Sequence, residues 1–187
     1  RVSGVAPGHR HPGCRAERPY SLPDSATRLP VMQTYEIHAQ TRPVQPTAVA
    51  KATLAVSEIG PWLGKVYGEI ADVLTDQGQE MAGPPFARYH PLADGRHDVE
   101  AGFPVTTPIE PVGQVRASTL SGGPVAMTMH VGPYEAMEPA YAALASWVDD
   151  QGGEPTGDAW EIYFSDPQQQ PDPSGWRTQI VQPYRLR

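Results

Sequence analysis

The chain has 187 residues, of which 39% are hydrophobic, enough for one ordinary domain or two small fused halves but with no run near the ~20 apolar residues of a membrane helix. Its formal net charge of −7 argues against general nucleic-acid binding, which draws affinity from clustered Lys and Arg on phosphates. A single cysteine, Cys14, excludes an intramolecular disulfide and a thiolate-rich zinc site.

Proline (22) and glycine (18) are abundant and mean hydropathy is −0.44, so turns and loops take up much of the chain. Lysine occurs only at Lys51 and Lys65, against twelve arginines. This composition suits a GC-rich bacterial genome, and the lone thiol suits a reducing, cytoplasmic setting.

The first 31 residues carry five prolines, five arginines and two acids, with no apolar period. Their net charge is +3, leaving −10 for residues 32–187. Such a segment buries too little surface to offset its chain entropy, which predicts a disordered tail. It lacks the apolar core of a secretory signal, and no helix-turn-helix can be built from it. Met32 reads as the natural start of a folded part spanning 32–187, in halves of about 34–110 and 111–187.

Thr47–Thr53 reads as the first strand. A helix follows, with Ser57 as N-cap, Pro61 within the first turn, and Ile59, Leu63, Val66, Ile70 and Val73 on one stripe. It ends at Asp76-Gln-Gly78, a left-handed C-cap sequence. Pro85–His90 and Asp98–Phe103 read as strands joined through Ala93-Asp-Gly95, a hairpin turn. The second half offers strands at 114–120 and 124–131, then a helix with Met137, Tyr141, Leu144 and Val148 on one face. It ends at Asp150-Gln-Gly152 and is followed by strands at 160–164 and 176–181.

The two Asp-Gln-Gly stops lie 74 residues apart, and the same offset places Phe86 on Trp160, Ala87 on Glu161 and Tyr89 on Tyr163. The expected fold is α+β: a tandem βαββ repeat with pseudo-twofold symmetry, whose two antiparallel sheets form a cleft with the helices packed behind.

Strand alternation puts Ala159, Glu161 and Tyr163 on one face, and Trp160, Ile162 and Phe164 on the other. Ala87 and Tyr89 share a face in the first copy. Two readings follow for Glu161. In one it is a lone acid in an aromatic cleft, suited to a cationic or hydrogen-bond-donating ligand. In the other it pairs with Arg177 on an exposed face. Glu100 has the context of a packed strand end. Tyr134, in His130-Val-Gly-Pro-Tyr134, reaches the cleft rim or packs in the core, and Trp62 either roofs the pocket or joins the core. His38, His90, His97 and His130 lack metal-ligand spacing, and no phosphate loop or Ser-His-Asp order is legible. Neither a metal nor a cofactor is expected.

The segments Phe86-Ala-Arg-Tyr-His-Pro91, Asp98-Val-Glu-Ala-Gly-Phe-Pro-Val105, His130-Val-Gly-Pro-Tyr134 and Trp160-Glu-Ile-Tyr-Phe-Ser-Asp-Pro167 together resemble the GyrI-like small-molecule-binding domain, the effector-binding domain of the BmrR and Rob type. The resemblance implies an aromatic cleft anchored by a buried glutamate, which Glu161 matches, with Tyr89, Tyr163 and Tyr134 as lining; Trp62 and Phe103 complete the candidate ligand-binding set. Many members of that family are sensors fused behind a DNA-binding domain, others are free-standing, one inhibits DNA gyrase, and a further branch resembles hydrolases of cyclopropane-bearing alkylators. The expectation is a free-standing binder of amphipathic, aromatic or cationic small molecules, with no direct nucleic-acid or membrane contact and no protein partner identified by the sequence. The alternative is a cofactor-independent hydrolase with Glu161, Tyr163 and Tyr89 as catalytic groups.

Overall fold

The computed structural model describes residues 33–187, so the expected tail over 1–31 lies outside the described residues. In chain order the elements are β1 (His38–Arg42), β2 (Gln45–Leu54), α1 (Val56–Asp76), β3 (Phe86–Pro91), β4 (His97–Pro104), β5 (Arg116–Leu120), β6 (Gly123–Val131), α2 (Glu138–Asp150), β7 (Gly153–Pro155), β8 (Trp160–Tyr163) and β9 (Arg177–Leu186). All nine strands join one curled antiparallel sheet ordered β1-β6-β9-β8-β3-β4-β2-β5, with β7 on β9. The groups β6-β9-β8 and β3-β4-β2, anticipated as separate sheets, are hydrogen-bonded along β3 and β8. At that seam Ala87 faces Glu161, and Phe86 and Arg88 face Ile162 and Trp160. The β1 and β7 strands were not anticipated.

Each edge strand closes the half it does not belong to in sequence. β1 pairs with β6, while β5 pairs with β2. The β1–β2 and β5–β6 turns therefore cross, and Gly122 is the residue at the crossing because a Cβ there would stand 2.7 Å from Val44 N.

Helix α1 starts at Val56, with Ala55 at the cap rather than Ser57. Ala55 has no side-chain oxygen, so Glu58 reaches back and accepts from the Ala55 N–H at 2.8 Å. Pro61 falls two residues deeper than expected, past the first turn and inside the helix, at an exposed position. At the far end Gly78 has φ +64°, and the N–H groups of Gly78 and Gln79 donate to Thr75 and Leu74 oxygens, a Schellman closure.

Both helices cover one face of the sheet. Val66, Ile70 and Leu74 of α1 sit over the small residues Ala48, Ala50, Ala87 and Ala101, whose size lets the helix approach closely. In α2, Ala140, Leu144 and Val148 cover Ala126 and Ile180. The opposite, concave face packs Val49, Phe86, Val125, Met127, Trp160 and Val181 together. On that side of the β3–β4 pair the buried Glu100 accepts from Arg88 Nη2 at 2.5 Å and from Lys51 Nζ at 2.7 Å. Glu100 is thus committed to the sheet, in keeping with a packing residue.

Candidate functional site

The stripe of α1 divides along its length. Val66, Ile70 and Leu74 are core residues, whereas Ile59 and Leu63, nearer the N-terminus, face a cavity of about 1360 Å³ over the β3–β8 seam. The cavity lies between the start of α1, the start of α2 and the β8–β9 loop. Its volume exceeds the ~300–1,000 Å³ usual for small-molecule sites.

Alternation along β8 carries Glu161 and Tyr163 to this cavity, and β3 brings Tyr89 beside them. Glu161 is 6% exposed. Its Oε2 accepts from the Tyr163 phenol at 2.6 Å and its Oε1 from the Tyr141 phenol at 2.5 Å. Tyr163 in turn lies 2.6 Å from the Tyr89 hydroxyl. Since Tyr163 gives its proton to the carboxylate, Tyr89 is the donor in that contact, and the order Tyr89, Tyr163, Glu161, Tyr141 is a continuous chain of hydrogen bonds.

Burial pushes the Glu161 carboxyl above the ordinary carboxylate range, and the two phenols pull it partly back. Burial also raises Tyr89, Tyr141 and Tyr163, with the Glu161 charge adding to it, so all three stay protonated donors. Tyr67 is raised for the same reasons and donates to Phe86 O at 2.9 Å. The result is one desolvated acid set among phenol rings.

Of the six predicted binding residues, the structure brings five to the cavity: Glu161, Tyr89, Tyr163, Tyr134 and Phe103. Trp62 is placed elsewhere, packed against the core under α1. Tyr134 stands at the mouth, edge-on to Tyr163 at 5.6 Å between centroids and against Trp176 at 4.7 Å. Trp176 holds the β8–β9 loop by donating to Gln170 O at 2.7 Å. Among the described residues no ion pair joins Glu161 to Arg177, so the exposed-pair alternative is set aside.

Two cavity tyrosines, each on a helix, were not among the predicted site residues: Tyr67, and Tyr141, which was read only as part of the second helix's stripe. The signal was present, because they too stand 74 residues apart. Among the described residues no group of His, Cys, Asp or Glu is placed to hold a metal ion, and no helix is long and apolar enough to cross a membrane.

The family profile of the GyrI-like small-molecule-binding domain matches residues 35–185. Among solved structures, the C-terminal domain of EcmrR has a TM-score of 0.69 at 20% identity, with 83% of this chain and 100% of that one covered. EcmrR bound to DNA within a transcription complex gives 0.72 at 20% identity, covering 82% of this chain but only 58% of EcmrR. SAV2435, solved with tetraphenylphosphonium bound, gives 0.56 at 14% identity over 82% and 94% of the two chains. A hydrolase from Listeria innocua gives 0.56 at 13% identity over 80% and 92%. At these identities the likeness is one of fold. No curated protein sequence matches the chain.

Proposed function

The chain belongs to the GyrI-like small-molecule-binding family, and from that premise we propose that its cavity takes up amphipathic aromatic cations, with Glu161 as the electrostatic anchor. The observation that carries this reading is a carboxylate 6% exposed among phenol rings. It has no cationic partner among the described residues, only hydrogen-bond donors. A lipophilic cation supplies the missing charge, while ring faces contribute about 0.5–2 kcal/mol each to its binding. The tetraphenylphosphonium found on SAV2435, a protein of the same fold, makes that cation the natural probe. The net charge of −10 over residues 32–187 disfavours a phosphate backbone, so nucleic-acid contact is no part of the proposal.

Calorimetric titration with tetraphenylphosphonium and with neutral triphenylphosphine oxide tests the anchor. Glu161→Gln keeps the shape and removes the charge. At ~6 Å and an effective dielectric near 20, the lost attraction is about 2.8 kcal/mol, a factor of about 100. The cation should lose between about 10- and 100-fold in affinity, and the neutral ligand less than about threefold. Equal losses for both, or no loss for the cation, would remove Glu161 from the anchor role.

A hydrolytic reading uses the same groups, with Glu161 as general base or acid and Tyr89 or Tyr163 polarising the leaving oxygen. It is the weaker of the two, because each oxygen of Glu161 already accepts a phenol and must turn a further lone pair to water. Mass spectrometry after incubation with a cyclopropane-bearing alkylator decides it. A gain of one water that vanishes in Glu161→Gln would establish hydrolysis, and unchanged masses would leave binding.

A further inference from the structure

The concave face of the sheet holds a second cavity, of about 490 Å³, within the ~300–1,000 Å³ range of small-molecule sites. Its walls include Phe86, Leu120, Trp160 and Ile162, and it is bounded by the β1–β2 turn. The strand Trp160-Glu161-Ile162-Tyr163 therefore presents alternate side chains to two different cavities, with Trp160 and Ile162 on this side and Glu161 and Tyr163 on the other.

The polar groups here are the reverse of those across the sheet. Arg42 lines the cavity, half-buried, with no hydrogen bond or ion pair from its guanidinium among the described residues. Burial lowers its pKa and no neighbouring charge opposes that shift. By contrast Arg88, Arg96, Arg185 and Arg187 each have a carboxylate partner. Gln40, an exposed residue, also lines the cavity, with its amide N–H 3.6 Å from the Met127 thioether. Among the described lining residues there is no carboxylate at all.

A half-buried guanidinium without an anion, beside apolar walls and no carboxylate, complements one kind of molecule. We propose that this concave cavity is a second binding site, specific for a small carboxylate with a flat apolar body, whose anionic head pairs with Arg42 while its rings lie on Ile162 and Phe164, the accessible apolar side chains of the lining. The two faces of one sheet then discriminate by charge, with cations on the helix-covered side and anions on the concave side.

Titration with 2-naphthoate and with the neutral 2-naphthalenemethanol tests this. Naphthoate should bind at one site, about 10- to 100-fold more tightly than the alcohol, which is the range of a charge-assisted hydrogen bond. Arg42→Gln should lose that advantage, and Arg42→Lys, which keeps the charge but not the planar fork, should fall between. Circular dichroism and the melting curve of each variant establish that it is folded. Glu161→Gln should leave naphthoate affinity unchanged; a gain would place naphthoate in the other cavity by relief of repulsion, and would overturn the assignment. So would an absence of binding at millimolar naphthoate, or equal affinity for the alcohol. Tetraphenylphosphonium binding is independent of all these outcomes, so the two sites stand or fall separately.

Discussion

Replacing Tyr141 by Phe removes one hydroxyl from the wall of the main cavity and leaves its ring in place on α2, packed against the core. The hydroxyl donates to Glu161 Oε1 at 2.5 Å. A hydrogen bond to a charged group is worth about 1.5–3 kcal/mol, which at 1.36 kcal/mol per decade is about 10- to 100-fold. Cation binding requires the ionised carboxyl. Burial has raised the Glu161 pKa, and loss of a donor raises it again. Where Glu161 is protonated in the free protein, the variant must spend the whole of that difference to ionise it. Where Glu161 is already ionised, the hydrogen bond is lost from free and bound states alike and cancels. The expected loss of tetraphenylphosphonium affinity is therefore full at low pH and fades as pH rises through both midpoints. Calorimetry at stepped pH values measures it. In a Glu161→Gln background the same change should alter affinity by less than about threefold. A loss equal at all pH values would mean that Tyr141 acts by packing alone, and no loss at any pH would remove it from the ionisation of Glu161.

Three further outcomes are expected. Because the folded-state pKa of Glu161 lies above its unfolded value of about 4.5, the folded protein holds more protons between the two values, and stability falls as pH rises through that window; the melting temperature of Glu161→Gln relative to the parent should climb over the same window, and a constant difference would contradict the buried acid. Trp62→Ala should lower unfolding stability by about 2 kcal/mol in urea, since a half-buried ring loses less than the 3–5 kcal/mol of a full core aromatic. Tetraphenylphosphonium affinity should stay within about twofold there, and a larger loss would return Trp62 to the cavity. Arg88→Ala strips Glu100, 7% exposed at its side chain, of its less exposed partner and leaves Lys51; a loss of roughly 2 kcal/mol in urea is expected, below the 3–5 kcal/mol of a fully buried pair, and an unchanged midpoint would show that Lys51 alone suffices.

The central strands and both helices were legible because their signals are local. Alternation in Trp160–Phe164 fixed which residues share a face, and the spacing in α1 marked a helix. The turn at Asp76-Gln-Gly78 announced itself through a residue that tolerates positive φ. Sequence spacing does not say where a stripe passes from core to cavity, so Ile59 and Leu63 read like Val66 although they face open space. Nor could it place Trp62, whose direction depends on the path of α1 across the sheet. The strand β1 was invisible because His38–Arg42 has little apolar content and gains its partner, β6, from the far half of the chain. Tyr67 and Tyr141 were legible in principle, but a tyrosine on a helical stripe reads as core packing until its hydroxyl is known to meet a buried carboxylate.

The crossing of the β1–β2 and β5–β6 turns bears on how the chain can be divided. A cut near residue 110 would yield one piece holding the edge strand that β6 needs, and another holding the edge strand that β2 needs. Neither piece could complete its own sheet. Each would expose an unpaired edge, a template for association, and the nearest matching strand would be on the other fragment. Mixed together, such fragments should recombine into the intact sheet, whereas either alone should aggregate or stay unfolded. The same interlock denies the folded chain any partly unfolded state in which one half persists without the other, so the two cavities should melt together in a single transition.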